Sequence, residues 1–120
     1  FSGHREIALT YSLEPELCLD SSRATSLALI VNELLQNSYE HAFKDKKYPE
    51  KPQIHLQVGL KNDIIRIQVI DNGSGYNQEH SFENHLGLLL VERFVQGKLF
   101  GTLSIHSDYE GTTTTIRFKK

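Results

Sequence analysis

Apolar residues alternate with polar or small ones at Ile7, Leu9 and Tyr11, and again at Leu17 and Leu19 beyond Pro15, the two-residue period of short strand segments. The period then changes. Leu27, Ile30, Val31, Leu34 and Leu35 recur at helical spacing, and Asp20, Ser21 or Ser22 can cap the start, which predicts the longest helix, running to about Phe43. Residues 44–52 are charged and contain Pro49 and Pro52, a loop pattern. Ile54, Leu56, Val58 and Leu60 alternate cleanly, Lys61-Asn62-Asp63 supplies turn chemistry, and Ile65, Ile67 and Val69 alternate in return, which predicts a hairpin. Asp71 to His85 reads as a loop, and Leu86 to Val95 as a helix with Gly97 near its end. Leu103 and Ile105, then Thr113 to Phe118, predict a last strand pair around the Asp108–Gly111 turn.

The order β, long α, ββ, loop, α, ββ implies an α+β fold: a two-layer α/β sandwich with helices on one face of a mixed, mostly antiparallel sheet. The 120 residues suit one domain, residues 1–120. Charged residues make up 23% and the net charge is −2, so no strong field draws the chain to polyanions and nucleic acid is not the expected partner. No apolar run approaches the roughly 20 residues that cross a bilayer, so no membrane contact is expected of this domain. The lone Cys18 has no internal disulfide partner and fits a reducing, cytoplasmic setting. A strand pattern begins within a few residues of Phe1, as in an excised domain.

Four segments carry candidate chemistry. Glu33, Asn37 and His41 are four apart, a line at helical spacing that drifts onto the apolar stripe. Taken singly, each reads as a locally satisfied core-edge residue; together, a carboxylate, an amide oxygen and an imidazole suit a hydrated divalent metal and a polyphosphate. Asp71 follows Ile65, Ile67 and Val69 on one strand face, where a further aliphatic is due. Such a carboxylate either caps a local turn or, beside Gly73 and Gly75, accepts from a flat heterocycle with an exocyclic amine. Leu86-Gly87-Leu88 places a glycine at the expected helix start, where free N–H groups attract phosphate, although a lone glycine there more often serves packing. The glycine spacing rules out the dinucleotide fingerprint. Thr112 follows Gly111 at a turn, ahead of Thr113 to Thr115, which read as strand formers on a half-wet face.

In this order the segments resemble the nucleotide-binding boxes of the GHKL superfamily: histidine kinases, Hsp90 chaperones, type II topoisomerases and MutL proteins. Residues 31–43, with Asn32-Glu33-Leu34, Asn37 and His41-Ala42-Phe43, are similar to the N box of short-lid sensor histidine kinases. Asp71-Asn72-Gly73-Ser74-Gly75 resembles the first glycine box, Leu86-Gly87-Leu88 the second and Gly111-Thr112 the closing Gly-Thr. The resemblance runs from about His4 to Phe118 and implies a Bergerat-type ATP-binding fold. Glu40 departs from it, standing where many such kinases carry a lysine, and only eleven residues separate Gly75 from Gly87.

What the resemblance implies is the catalytic domain of a two-component sensor histidine kinase, with ATP and Mg²⁺ as cofactors. Asn37 would coordinate Mg²⁺, Glu33 would act as a base-like residue, and His41 would line the pocket. Asp71 would accept from the adenine amino group with help from Thr112. Gly73 and Gly75 would give the nucleotide room, and the backbone at Gly87 and Leu88 would face the phosphates. None of the six histidines suits the role of phospho-acceptor. The implied partners are therefore an upstream dimerisation and histidine phosphotransfer domain and a response regulator, in a full-length homodimer for which the resemblance allows a membrane anchor outside this domain. A serine kinase of the anti-sigma-factor type and a nucleotide-binding module without transfer are the alternatives.

Overall fold

The computed structural model describes residues 6–43, 51–73 and 81–120, with the side chains of its second helix described from Leu88 onward. Five strands form one sheet: β1 (Ala8–Ser12), β2 (Gln53–Lys61), β3 (Ile64–Asp71), β4 (Thr102–Asp108) and β5 (Gly111–Lys119), in the order β1-β2-β3-β5-β4. Only β1 with β2 is parallel; the other three pairings are antiparallel. Two helices, α1 (Ser21–Asn37) and α2 (Ser81–Phe94), each end in a wide π-type turn, over Ser38–Ala42 and Val95–Leu99. The two-layer α+β sandwich and mixed sheet expected from the sequence are therefore present.

Alternation decides which face of the sheet meets the helices. Ile65, Ile67 and Val69 of β3 register opposite Leu60, Val58 and Leu56 of β2 and opposite Phe118, Ile116 and Thr114 of β5. Those of β3 and β5 are buried, and they pack with Ile30 and Leu34 of α1 and with Val91, Val95 and Leu99. Fully burying one such aliphatic side chain contributes about 1.5–3 kcal/mol, so this layer is the main source of stability. The opposite face, with Gln57, Arg66, Gln68 and Arg117, carries no helix among the described residues.

Asp20, one of the three capping candidates, is the residue that caps α1: its carboxylate accepts from the Arg23 backbone N–H at 3.2 Å and from Arg23 Nε at 2.6 Å. The Arg23 side-chain hydrogen bond holds this carboxyl below its ordinary range. Three local expectations need correction. Leu17 and Leu19 belong to no strand; they pack, half-buried, against the core from an irregular segment in which Glu16 takes a left-handed φ of 63°. The second helix begins at Ser81 rather than Leu86, because polar Glu83, Asn84 and His85 conceal the Phe82–Leu86 apolar spacing of four. Gly97 does not stop that helix either; the left-handed residue is Phe100, at φ 52°.

Thr115, expected on a half-wet face, is buried there because Gln68 Nε2 donates to its hydroxyl at 3.2 Å, while Thr114 lies on the helix-covered face and enters the core. Gly111 turns β4 into β5 at φ 142°, and a Cβ there would collide with the Asp71 carbonyl oxygen. Gly111→Ala is accordingly expected to cost about 1–3 kcal/mol in urea unfolding. Gly97→Ala, where an added Cβ meets nothing within 4 Å, should stay within about 0.5 kcal/mol of wild type.

Candidate functional site

The π-type turn after Asn37 carries the chain of α1 across the end of β3. Ser26, Ile30, Leu34, Ser38 and Ala42, spaced by four, are all buried, so the stripe that packs α1 on the sheet ends in a hydroxyl and a methyl group. Ser38 Oγ donates to Asp71 Oδ2 at 3.2 Å. Ala42 meets Gly73, where a Cβ would overlap the Ala42 carbonyl oxygen, so only glycine permits this approach of turn to strand end.

Asp71 is 7% exposed and is the last residue of β3, on the covered face as its period predicts. Its Oδ1 accepts from the backbone N–H groups of Gly73 at 3.0 Å and Thr112 at 3.3 Å. An ionised carboxylate offers about four acceptor sites, and three are engaged, which leaves about one, on Oδ2, for a ligand donor. Burial raises the Asp71 pKa, opposed by the Gly73, Ser38 and Thr112 hydrogen bonds. Thr112, across the ladder from Asp71, shares a 2.8 Å hydroxyl–hydroxyl hydrogen bond with Ser107.

Asn72 is a clasp. Its Oδ1 accepts from the Gln53 N–H at 2.7 Å, its Nδ2 donates to the Lys51 carbonyl at 3.0 Å, and its own N–H reaches the Gln53 carbonyl at 3.2 Å. These bonds fix the start of β2 against the end of β3. Asp71, Gly73, Thr112 and Ser38 are thus held together from three segments, the turn after α1, the end of β3 and the start of β5. Ser38 and Asn72 are the residues that the sequence reading passed over. Extending the Ile30–Leu34 spacing by four would have found Ser38; only the fold shows what Asn72 holds.

The Glu33–Asn37–His41 line divides. Asn37 and His41 are half-buried, and Asn37 Nδ2 and His41 Nδ1 are buried without a hydrogen-bond partner among the described residues. Orphaned polar atoms cost about 1–3 kcal/mol each, and a polar ligand would satisfy them. His41 Nε2 lies 3.7 Å from the Glu40 carboxylate, an ion pair when the imidazole is protonated. Glu33 instead lines a groove of about 310 Å³ between α1 and α2, walled by Leu29, Ile30, Leu90, Val91 and Phe94.

Leu88 is in the core at 9% exposure, so its side chain is packing. Gly87 is the seventh residue of α2, beyond the four N–H groups that a helix start leaves free, so the helix-start argument does not hold for it. Gly75, with the rest of residues 74–80, lies outside the described residues. Among the described residues no three His, Cys, Asp or Glu side chains converge as a metal cage. The local donor set is one amide oxygen, Asn37, which fits a magnesium ion that keeps waters and shares substrate phosphates.

Residues 22–120 match the family model of the histidine kinase-, DNA gyrase B- and HSP90-like ATPases. The chain belongs to this family. Among curated proteins it is similar to the sensor histidine kinase PdtaS of Mycolicibacterium smegmatis, 33% identical over 100 residues, covering 82% of this chain and 20% of that protein. A probable C4-dicarboxylate sensor kinase of Halalkalibacterium halodurans is 30% identical over 108 residues, covering 78% of this chain and 20% of that protein. The chain thus spans about a fifth of the length of the relatives it matches. The histidine kinase domain of the Erythrobacter litoralis blue-light activated histidine kinase superposes with a TM-score of 0.82 at 25% identity, over 98% of this chain and 53% of that one. The nucleotide-free catalytic domain of histidine kinase ThkA shares the fold, with a TM-score of 0.73 at 16% identity over 95% of this chain and 78% of that one.

The raised Asp71 pKa has a definite sign in stability. Between the ordinary value of 3.8 and the raised folded value, the native state binds more protons than the unfolded state, so stability falls as pH rises through that window. Asp71→Asn keeps an acceptor for Gly73 and Thr112 and removes this dependence. The melting temperature of Asp71→Asn relative to wild type should therefore climb with pH from about 3.8 and then level off, as calorimetry across pH can measure.

Proposed function

We propose that this chain, residues 1–120, is the catalytic domain of a sensor histidine kinase, binding Mg-ATP and presenting its γ-phosphoryl group to a histidine on a separate dimerisation domain. The observation that carries this reading is Asp71, a buried carboxylate with three protein donors and about one acceptor site left, at the end of β3 beside the side-chain-free Gly73. An adenine amino group is a donor of the right kind for that vacancy, and Thr112 supports the carboxylate from the neighbouring strand.

Asn37 would hold the magnesium through its amide oxygen, while its orphaned Nδ2 and the orphaned Nδ1 of His41 would meet phosphate oxygens or their waters. When bound, magnesium neutralises charge on the phosphates, and positioning of this kind is most of what phosphoryl transfer requires. Glu33 would act from the α1–α2 groove as the polar, base-like group for the incoming imidazole. That groove's walls include Leu29 and Leu90, 56% and 60% exposed, so the acceptor would arrive on a protein surface with apolar side chains. Gly73 and Gly75 would give the nucleotide room, and the backbone around Gly87 and Leu88, inside α2 rather than at its start, would face the phosphates. A response regulator would take the phosphoryl group from the histidine, in a homodimeric full-length kinase whose catalytic domain works in the cytoplasm. Among the described residues no helix is long and apolar enough to cross a membrane.

In a calorimetric titration, wild type should bind ATP more tightly with Mg²⁺ than without it. Asn37→Ala should abolish most of that difference while retaining metal-free binding. In the full-length kinase, Glu33→Gln should bind ATP normally yet label its own histidine from [γ-³²P]ATP roughly 100-fold more slowly, the scale of lost acid–base assistance. Unchanged labelling would remove Glu33 from the mechanism, and failure of wild type to bind ATP would remove the proposal itself. Because proton and adenine compete for Asp71, ATP affinity should decline on acidification at a higher pH than an ordinary aspartate, at 3.8, would produce.

A further inference from the structure

The helix-free face of the sheet carries a charge arrangement that the nucleotide site does not use. Arg66 on β3 and Arg117 on β5 are direct register partners, flanked in the same row by Gly59 on β2 and Thr102 on β4. Directly opposed like charges destabilise an antiparallel pair. Both arginines are exposed, and among the described residues neither meets a carboxylate or other hydrogen-bond acceptor. Lys61 and Lys119 lie on the same face one row further on, each two residues along its strand from Gly59 and Arg117. The only acid on that face of the strands is Asp108, at the far end of β4 and 3.5 Å from His106. The nearby Glu14 is engaged, accepting from the Leu60 N–H at 3.2 Å.

The row also has space. A Cβ on Gly59 would meet nothing within 4 Å, and the lining of a depression of about 460 Å³ includes Gly59, Lys61, Arg66 and Arg117 together with the carboxylate-bearing Glu14. Arg66 is five residues before Asp71 and on the opposite face, about 17 Å away along the strand, so this surface is separate from the nucleotide pocket. Guanidinium groups match carboxylates through paired N–H donors, and two side by side accept two closely spaced carboxylates.

We propose that the Arg66–Arg117 row, with Lys61 and Lys119, is a docking surface for an acidic segment of a partner protein. Four cations in two rows on a chain of net charge −2 match a short run of Asp or Glu. They do not form the extended basic track of a nucleic-acid surface, and the aromatic rings on this face, the imidazoles of His55 and His106, lie apart from them in the row of Ile70 and Thr113, four residues along the strands from Arg66 and Arg117. This inference does not depend on the kinase reading.

The test is fluorescence anisotropy of a fluorescein-labelled hexaglutamate peptide against the 120-residue chain at low and at 0.15 M salt, with labelled hexaglutamine and a decathymidine oligonucleotide as alternatives. Hexaglutamate should bind, weaken with salt, and lose about tenfold or more in affinity in Arg66→Gln/Arg117→Gln, since hydrogen bonds to charged groups are the strong ones. Arg117→Glu should raise the melting temperature, by giving Arg66 an opposite charge, while abolishing peptide binding and leaving ATP binding unchanged. Equal binding of hexaglutamate by wild type and the double glutamine variant, no binding at low salt, equal binding of hexaglutamine, or tighter arginine-dependent binding of decathymidine would each overturn the proposal.

Discussion

A buried carboxylate at the end of a strand organises this molecule. Asp71 leaves water at a cost that three hydrogen bonds only partly offset, which is why its pKa is raised rather than lowered. Those bonds dictate where other parts of the chain must be. Ser38 has to lie on the sheet side of the turn that follows α1, Gly73 has to tuck beneath Ala42, and β5 has to begin at Thr112. Gly111 at φ 142° and the Asn72 clasp onto β2 follow from the same crowding. A fold stabilised mainly by aliphatic burial further along the sheet therefore closes, at this end, around a polar group that is still one donor short.

Much of this was legible in the sequence because period carries burial. Ile65, Ile67 and Val69 fix a covered face, and Asp71 is conspicuous for continuing it with a charge. The order of elements and the mixed two-layer architecture followed from pattern changes at Ser21, Gln53 and Thr102. What the sequence hid was of two kinds. The start of α2 was masked by polar residues whose helical state no local signal announces, so Gly87 was placed at a helix start that it does not occupy. The π-type turn after Asn37 was equally unannounced, and ideal α spacing kept Glu33, Asn37 and His41 on one line. In the structure Glu33 faces the α1–α2 groove, while Asn37 and His41 each bury an unpartnered nitrogen.

The two faces of the sheet divide the electrostatics. On the helix-covered face the buried carboxylate of Asp71 is held by three donors, whereas the bare face concentrates Arg66, Arg117, Lys61 and Lys119 with, among the described residues, only Glu14 as an acid lining the same depression. Charge repulsion across β3 and β5 and the unfilled acceptor site at Asp71 are both departures from maximal stability. Surfaces meant to meet another molecule tolerate such departures, because the missing partner supplies the compensating interaction.

The central claim is that Asp71 recognises a ligand through an exocyclic amine. The most direct measurement is the affinity of the chain for ATP against inosine triphosphate, which differs by an oxo group in place of the amino group on the six-membered ring. Wild type should prefer ATP by about tenfold or more, the worth of a hydrogen bond to a charged group, and Asp71→Asn should lose the preference. Equal affinity of wild type for the two nucleotides, or an unchanged preference in Asp71→Asn, would contradict the account.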